Sequence, residues 1–155
     1  MRLNAATTAA AEEALLQCCG SLRWAQRVAA HRPYPDLAAL LAAADEASYD
    51  LRQPDLAEAL AAEYSAELDE RAPYAAHLAL RAAHAEYERL FGHAFVICLD
   101  GHPPHDHLNE VLSGIQSRLA NSPDEERAVA ADELRRLAGE RLRDLAILAD
   151  APELV

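Results

Sequence analysis

Glycine, cysteine and aromatic residues are all scarce here: 155 residues hold five glycines, three cysteines and 5% aromatics, and β-branched side chains are thinly spread. Each scarcity excludes something. A chain this poor in glycine and β-branched residues has little material for hairpins and pleated strands. Cys18 and Cys19 are adjacent and Cys98 is far away, so they make neither a disulfide framework nor a zinc-ligand spacing and read as reduced, partly buried thiols. No apolar run approaches the ~18 residues a membrane helix needs, and Met1 to Ala11 lacks the basic start and apolar core of a signal peptide. A cytoplasmic chain with no membrane partner is expected. Basic charge is also short, 14 Lys and Arg against 26 Asp and Glu, a net charge of −12. With no block of basic residues set apart from the acids, the chain repels a phosphate backbone, and nucleic acid is excluded as a partner. Phosphate-binding glycine patterns and the serine-hydrolase elbow are missing too.

What is abundant is alanine, within a hydrophobic content of 52%. Alanine favours helix and packs closely. At this length the composition fits an all-α, single-domain helical bundle spanning 1–155. Thr7 or Thr8 can cap a first helix to about Cys18. Ser21 caps a second, carrying Trp24, Ala25 and Val28, which Pro33 and Pro35 end. A third begins near Asp36, with Leu37, Leu40, Leu41 and Ala44 as its apolar face to about Tyr49. Pro54 opens a fourth through roughly Glu63. Tyr64 to Pro73 loses the helical period and reads as a long loop. Helix returns from Pro73 to Phe91, closed by Gly92 in a left-handed conformation. The apolar run Ala94 to Leu99 reads as a buried extended segment, helix resumes near Asp106, and Ser122-Pro123-Asp124-Glu125-Glu126 starts the last helix with three acids set against the dipole.

Ionisable groups on faces that the helical period assigns to the core need a partner or a purpose. In the last helix Leu134, Leu137, Leu145 and Leu148 form a stripe with Arg141 near its middle, where a guanidinium can grip a carboxylate or an imide-like ring edge. The alternative is an internal ion pair. On the fourth helix Leu56 and Leu60 define the apolar face and Glu63 falls beside them, while Glu58 projects to the opposite side. Partial desolvation would suit Glu63 to proton donation; a helix-end glutamate turned to solvent is the alternative. From Pro73 onward His77, Leu80, His84, Tyr87 and Phe91 share one stripe, so two histidines join a core-like face, as pocket bases or as satisfied core residues. Together Glu63, His77, His84 and Arg141 are candidates for one pocket. His102-Pro103-Pro104-His105-Asp106-His107 contains metal-ligand types, but no distant pair completes a recognised spacing, and a histidine-rich surface turn is the simpler reading. No metal site is expected.

Several strings, in order, resemble one known family. Cys18-Cys19-Gly20-Ser21, Arg23-Trp24-Ala25 and Arg32-Pro33-Tyr34 come first, followed by Leu40-Leu41-Ala42-Ala43-Ala44-Asp45 and Asp55-Leu56-Ala57-Glu58-Ala59-Leu60. Tyr87 and Phe91-Gly92-His93-Ala94-Phe95-Val96-Ile97 come next, then Arg118-Leu119-Ala120-Asn121, Glu126, Glu133 and Arg141-Leu142. The set is similar to the 2-oxo-4-hydroxy-4-carboxy-5-ureidoimidazoline (OHCU) decarboxylases, over roughly Leu15 to Leu145.

The resemblance implies removal of the OHCU carboxylate to give (S)-allantoin in urate breakdown, with no metal or organic cofactor. Electrons released by C–C cleavage delocalise into the adjacent ring C=N, so the protein must orient the ring and deliver a proton to one face. It also implies that Arg141 binds the ring or its oxygen, that the backbone of Phe95, Val96 and Ile97 contacts the substrate, with Trp24 among the binding positions, and that the chain forms a homodimer, although no heptad seam specifies one. Two departures stand out. The family's catalytic His-Pro pair is Glu63-Tyr64 here, and its Ser-x-x-Glu-Gln signature is not recognisable between Ser65 and His77. Glu63 can replace the histidine if its pKa is raised, with His77 or His84 assisting. The alternatives are a family member acting on another ureide or cyclic imide, and a catalytically silent ureide-binding protein.

Overall fold

The computed structural model describes residues 2–65, 67–68 and 70–150, with side chains described as far as Ala146. The regular elements are the helices α1 (Arg2–Ala5), α2 (Thr8–Leu16), α3 (Leu22–Ala30), α4 (Leu37–Tyr49), α5 (Gln53–Ala61), α6 (Tyr74–Phe91), α7 (His107–Arg118) and α8 (Pro123–Asp150), with a 3-10 turn over Pro104–Asp106. The described residues contain no strand, and the protein is all-α as its composition predicts. None of these helices is long and apolar enough to cross a membrane. By its contacts the chain divides into two compact units, Met1–Ala59 with Arg135–Val155 and Leu60–Leu134.

In the first unit the helix starts follow their capping residues. Thr7 Oγ1 accepts from Ala10 N at 3.2 Å, Ser21 Oγ from Trp24 N at 3.2 Å and Asp36 Oδ1 from Ala39 N at 2.8 Å. Each satisfies a donor that the first turn leaves open. Glu58 adds a partner that periodicity does not reveal: its carboxylate accepts the N–H of Leu22, at the start of α3, at 3.0 Å. Trp24, Ala25, Val28, Leu40, Ala44 and Ala47 are buried, and the indole N–H of Trp24 donates to Ala44 O at 3.1 Å. Arg32 holds α1 in place, its Nη1 donating to the carbonyls of Leu3 and Ala6, both at 2.7 Å. Asn4 and Tyr34 exchange two hydrogen bonds of 2.8 Å.

The second unit is built around α6. Its buried residues Leu80, His84 and Tyr87 fall on the expected stripe, with His77 and Phe91 half-buried at its ends. Gly92 closes the helix with φ of 79°, a backbone conformation that costs glycine least. Leu80, Tyr87, Phe95, Val111 and Ile115 form the core, with Ile97, Leu108 and Leu112 packed at its edge. Gly114 lets α7 approach the segment after α6: a Cβ there would stand 3.1 Å from Phe95 Cζ and 3.3 Å from Ile97 Cδ1.

The apolar face of α8 differs from the leucine stripe that the sequence suggests. Ala130, Leu134, Ala138 and Leu142 are buried, whereas Leu137 and Leu145 are intermediate and the side chain of Leu148 lies outside the described residues. Spacing of four keeps these positions on one face of the helix. Extending the seam back one turn reaches Glu126, which is fully buried instead of facing the dipole in solvent. Arg141 accordingly sits at the border of the buried face and is only half-buried.

Candidate active site

A cavity of about 380 Å³ opens in the second unit between one face of α6 and the loop before it. His77, Leu80, Arg81, His84, Ala85 and Glu88 supply the helical wall, spaced so that successive turns present a side chain to the same side. Ser65, Glu67, Leu68 and Glu70 supply the loop wall. The two walls are joined by a hydrogen bond of 2.6 Å from Ser65 Oγ to Glu88 Oε1. His84 is the buried histidine of the wall, and its ring lies 6.2 Å from that of Phe95, tilted by 55°. Among the described residues Arg81 has no carboxylate within ion-pair distance.

Phe95 and Val96 are buried, yet they belong to neither helix nor strand. The segment is held from two sides. Arg118 Nη1 donates to Val96 O at 2.7 Å, and Glu133 Oε2 accepts the N–H of Cys98 at 2.7 Å. Among the described residues, the N–H groups of Phe95, Val96 and Ile97 and the carbonyls of Phe95 and Ile97 meet no protein partner. Buried backbone groups are nearly always paired, so such a row offers donors and acceptors to a ligand.

Behind it lies a buried charge network. Glu126 is 0% exposed and Arg118 is 7% exposed. Arg118 Nε donates to Glu126 Oε1 at 2.8 Å, Tyr87 OH donates to the same oxygen at 2.5 Å, and Asn121 Nδ2 donates to Oε2 at 3.0 Å. The guanidinium also lies over Phe95, 4.2 Å from the ring centroid. Burial, followed by the neighbouring Glu126 carboxylate, raises the Tyr87 phenol far above its ordinary value, so it stays a donor. Helical periodicity singles out neither Arg118 nor Glu126, although both fall in the strings that resemble the family; the local signal for Glu126 is its place four residues before Ala130 on the α8 seam.

The other expected site residues lie as follows. Glu63 stands two residues past the end of α5, half-buried, with its N–H donated to Leu60 O at 3.1 Å. The helix stops at Ala61, before the residue that periodicity would have carried round to the apolar face, and Glu63 does not line the cavity. Arg141 belongs to the first unit, where its Nη1 donates to Cys18 O at 3.2 Å. Trp24 is fully buried there, its N–H spent on Ala44, and in this structure it packs the core. In the histidine-rich turn His107 Nε2 is 2.9 Å from His102 O, and His105 is 3.5 Å from Asp106.

An all-helical fold whose second unit carries a histidine-walled cavity, which Phe95, Val96 and Ile97 do not line, defines a small helical protein with a candidate ligand site. More particularly, the chain belongs to the OHCU decarboxylase family, a family of carboxy-lyases whose model matches residues 4–143. Its fold is similar to a solved OHCU decarboxylase crystallised in the presence of (S)-allantoin, with TM-score 0.73 and 22% identity over 86% of this chain and 96% of that one. It is also similar to a solved (S)-allantoin synthase, with TM-score 0.68 and 19% identity over 92% of this chain and 52% of that one, so it spans about half of the latter's length. No curated protein matches by sequence.

Proposed function

We propose that this chain decarboxylates OHCU to (S)-allantoin without a metal or organic cofactor. The observation that carries the reading is the cavity walled by His77 and His84, with the open backbone of Phe95, Val96 and Ile97 in the same unit, in a chain matched by the family over residues 4–143. The scissile C–C bond breaks, CO₂ leaves, and the electron pair passes into the adjacent C=N system. A proton then returns to one face of the ring. His84, the buried histidine of the cavity wall, is the leading donor, with His77 two turns away on the same wall; Glu63, which the family resemblance sets in place of the family's histidine, is the alternative. The backbone row receives the ring's N–H and C=O groups, which orients one face toward that proton. Arg141 is proposed as a ring-binding residue on the strength of the family resemblance, and a homodimer is proposed on the same footing.

The test generates OHCU in place from urate with uricase and the hydrolase that follows it, and follows (S)-allantoin by circular dichroism against the spontaneous racemic background. Rapid accumulation of one enantiomer supports the reading; a rate equal to the background overturns it. In an active protein His84→Gln is expected to lower kcat by about 10²-fold or more. Glu63→Gln retaining full turnover removes Glu63 as the acid or base.

One observation favours a second reading. Glu67, Glu70 and Glu88 all line the cavity, an acceptor-rich wall suited to a ligand carrying many N–H donors. That favours another ureide or a cyclic imide as substrate or bound ligand, and a thermal-shift series over such compounds distinguishes it.

A further inference from the structure

A buried ion pair is weak evidence for stability, because desolvating the two charges offsets most of their attraction, and apolar replacements of similar volume often serve as well. The Arg118–Glu126 pair therefore calls for another reason, and its geometry supplies one. The guanidinium makes three kinds of contact at once. It donates to Glu126, donates to Val96 O at 2.7 Å, and covers the Phe95 ring at 4.2 Å. A planar fork can do this because its donors point in fixed directions. Glu126 is in turn fixed by Tyr87 and Asn121, so the guanidinium has no freedom to turn away. At the far end of the segment Glu133 fixes Cys98 N. Of the backbone groups that no described residue engages, those of Ile97 lie between these two anchors, and those of Phe95 and the Val96 N–H lie just before the first.

We propose that Arg118 is a positioning residue, locked by Glu126, Tyr87 and Asn121, and that it sets the Val96 carbonyl and Phe95 ring so that the open backbone of Phe95 to Ile97 holds the substrate ring in a single orientation. The inference rests on the reading of that segment as the substrate-contacting one. Its consequence is stereochemical: a loosened segment lets the ring turn, and the returning proton reaches either face. Arg118→Lys keeps the charge but has no planar fork to serve Glu126 and Val96 together. Tyr87→Phe removes one lock and leaves the rest.

The experiment compares the parent protein, Arg118→Lys, Tyr87→Phe and Leu40→Ala, the last a first-unit core variant serving as a control for lost stability. Each is assayed well below its own melting temperature, for kcat, KM and the enantiomeric excess of allantoin. Arg118→Lys is expected to lose about tenfold or more in kcat and most of the enantiomeric excess. Tyr87→Phe is expected to show the same effects more weakly, and Leu40→Ala to keep the parent's values. Unchanged kcat and enantiomeric excess in folded Arg118→Lys overturn the proposal, as does an equal loss in Leu40→Ala.

A parent inactive toward OHCU overturns the proposed decarboxylation alone, and (S)-allantoin titration then reads the positioning claim. Amide shifts at Phe95 to Ile97, with Kd weaker by about tenfold in Arg118→Lys, support it. An unchanged Kd, or no binding by the parent, overturns it.

Discussion

Cys18 shows how one residue can report on a whole unit's packing. Burial pushes its thiol up to about 11, against the opposing pull of the Arg141 guanidinium, and the neighbouring Cys19 adds to the rise. The neutral thiol is therefore the form that the fold favours. A folded-state pKa raised above the ordinary 9.0 gives stability that is fully present below pH 9 and is lost as pH climbs toward 11. Unfolding free energy measured by urea titration should thus fall over that window by at most about 2 kcal/mol more in the parent than in Cys18→Ala. In the second unit the buried Glu126 carboxylate joins Arg118, Tyr87 and Asn121. Glu126→Ala leaves the buried Arg118 charge uncompensated and should cost about 3–5 kcal/mol in the same measurement. Neither residue's role follows from its neighbours in sequence. Glu126 follows Pro123, Asp124 and Glu125 at a helix start and reads as another acid set against the dipole, whereas four-residue alignment with Ala130 turns it inward.

At the scale of elements, two glycines in helices make opposite predictions for the same substitution. Gly139 in α8 has nothing within 4 Å of an added Cβ, so Gly139→Ala gains helix propensity freely and should stabilise by about 0.5–1 kcal/mol. Gly114 in α7 faces Phe95 and Ile97, and relief of a 3.1 Å contact must displace one of them. Gly114→Ala should therefore destabilise by about 1 kcal/mol despite the same propensity gain, with the melting temperature as the readout. Most element boundaries were legible in the sequence because capping serines, threonines and aspartate, the prolines and Gly92 act locally. The end of α5 was not. Leu56 and Leu60 mark its face, but no breaker precedes Glu63, so periodicity runs two residues past the observed end at Ala61. The buried face of α8 departs from the leucine stripe for a related reason. Leucines dominate any hydrophobic pattern, whereas the buried positions include the alanines at 130 and 138.

For the whole molecule the net charge of −12 sets a long-range condition. Self-repulsion opposes the compact state and hinders an anionic substrate, and salt screens both effects. Raising ionic strength from about 0.01 M to 0.15 M shortens the screening length from about 30 Å to 8 Å, which should raise the melting temperature and lower KM for a carboxylate substrate. Alanine-rich composition, the caps and the ordered family strings by themselves determined the helical class, the sequence of elements and the family, because each is a local or one-dimensional property. They also placed His77 and His84 on one face of α6, since a helix fixes angular positions within itself. Only the tertiary structure decided that Arg118 and Glu126 meet although eight residues apart on different helices, that Arg118 also takes the Val96 carbonyl, and that Trp24 and Arg141 spend hydrogen bonds on Ala44 and Cys18 carbonyls. The physical reason is that burial and hydrogen-bond pairing depend on which elements pack together, and a pattern along one helix carries no record of what lies across from it.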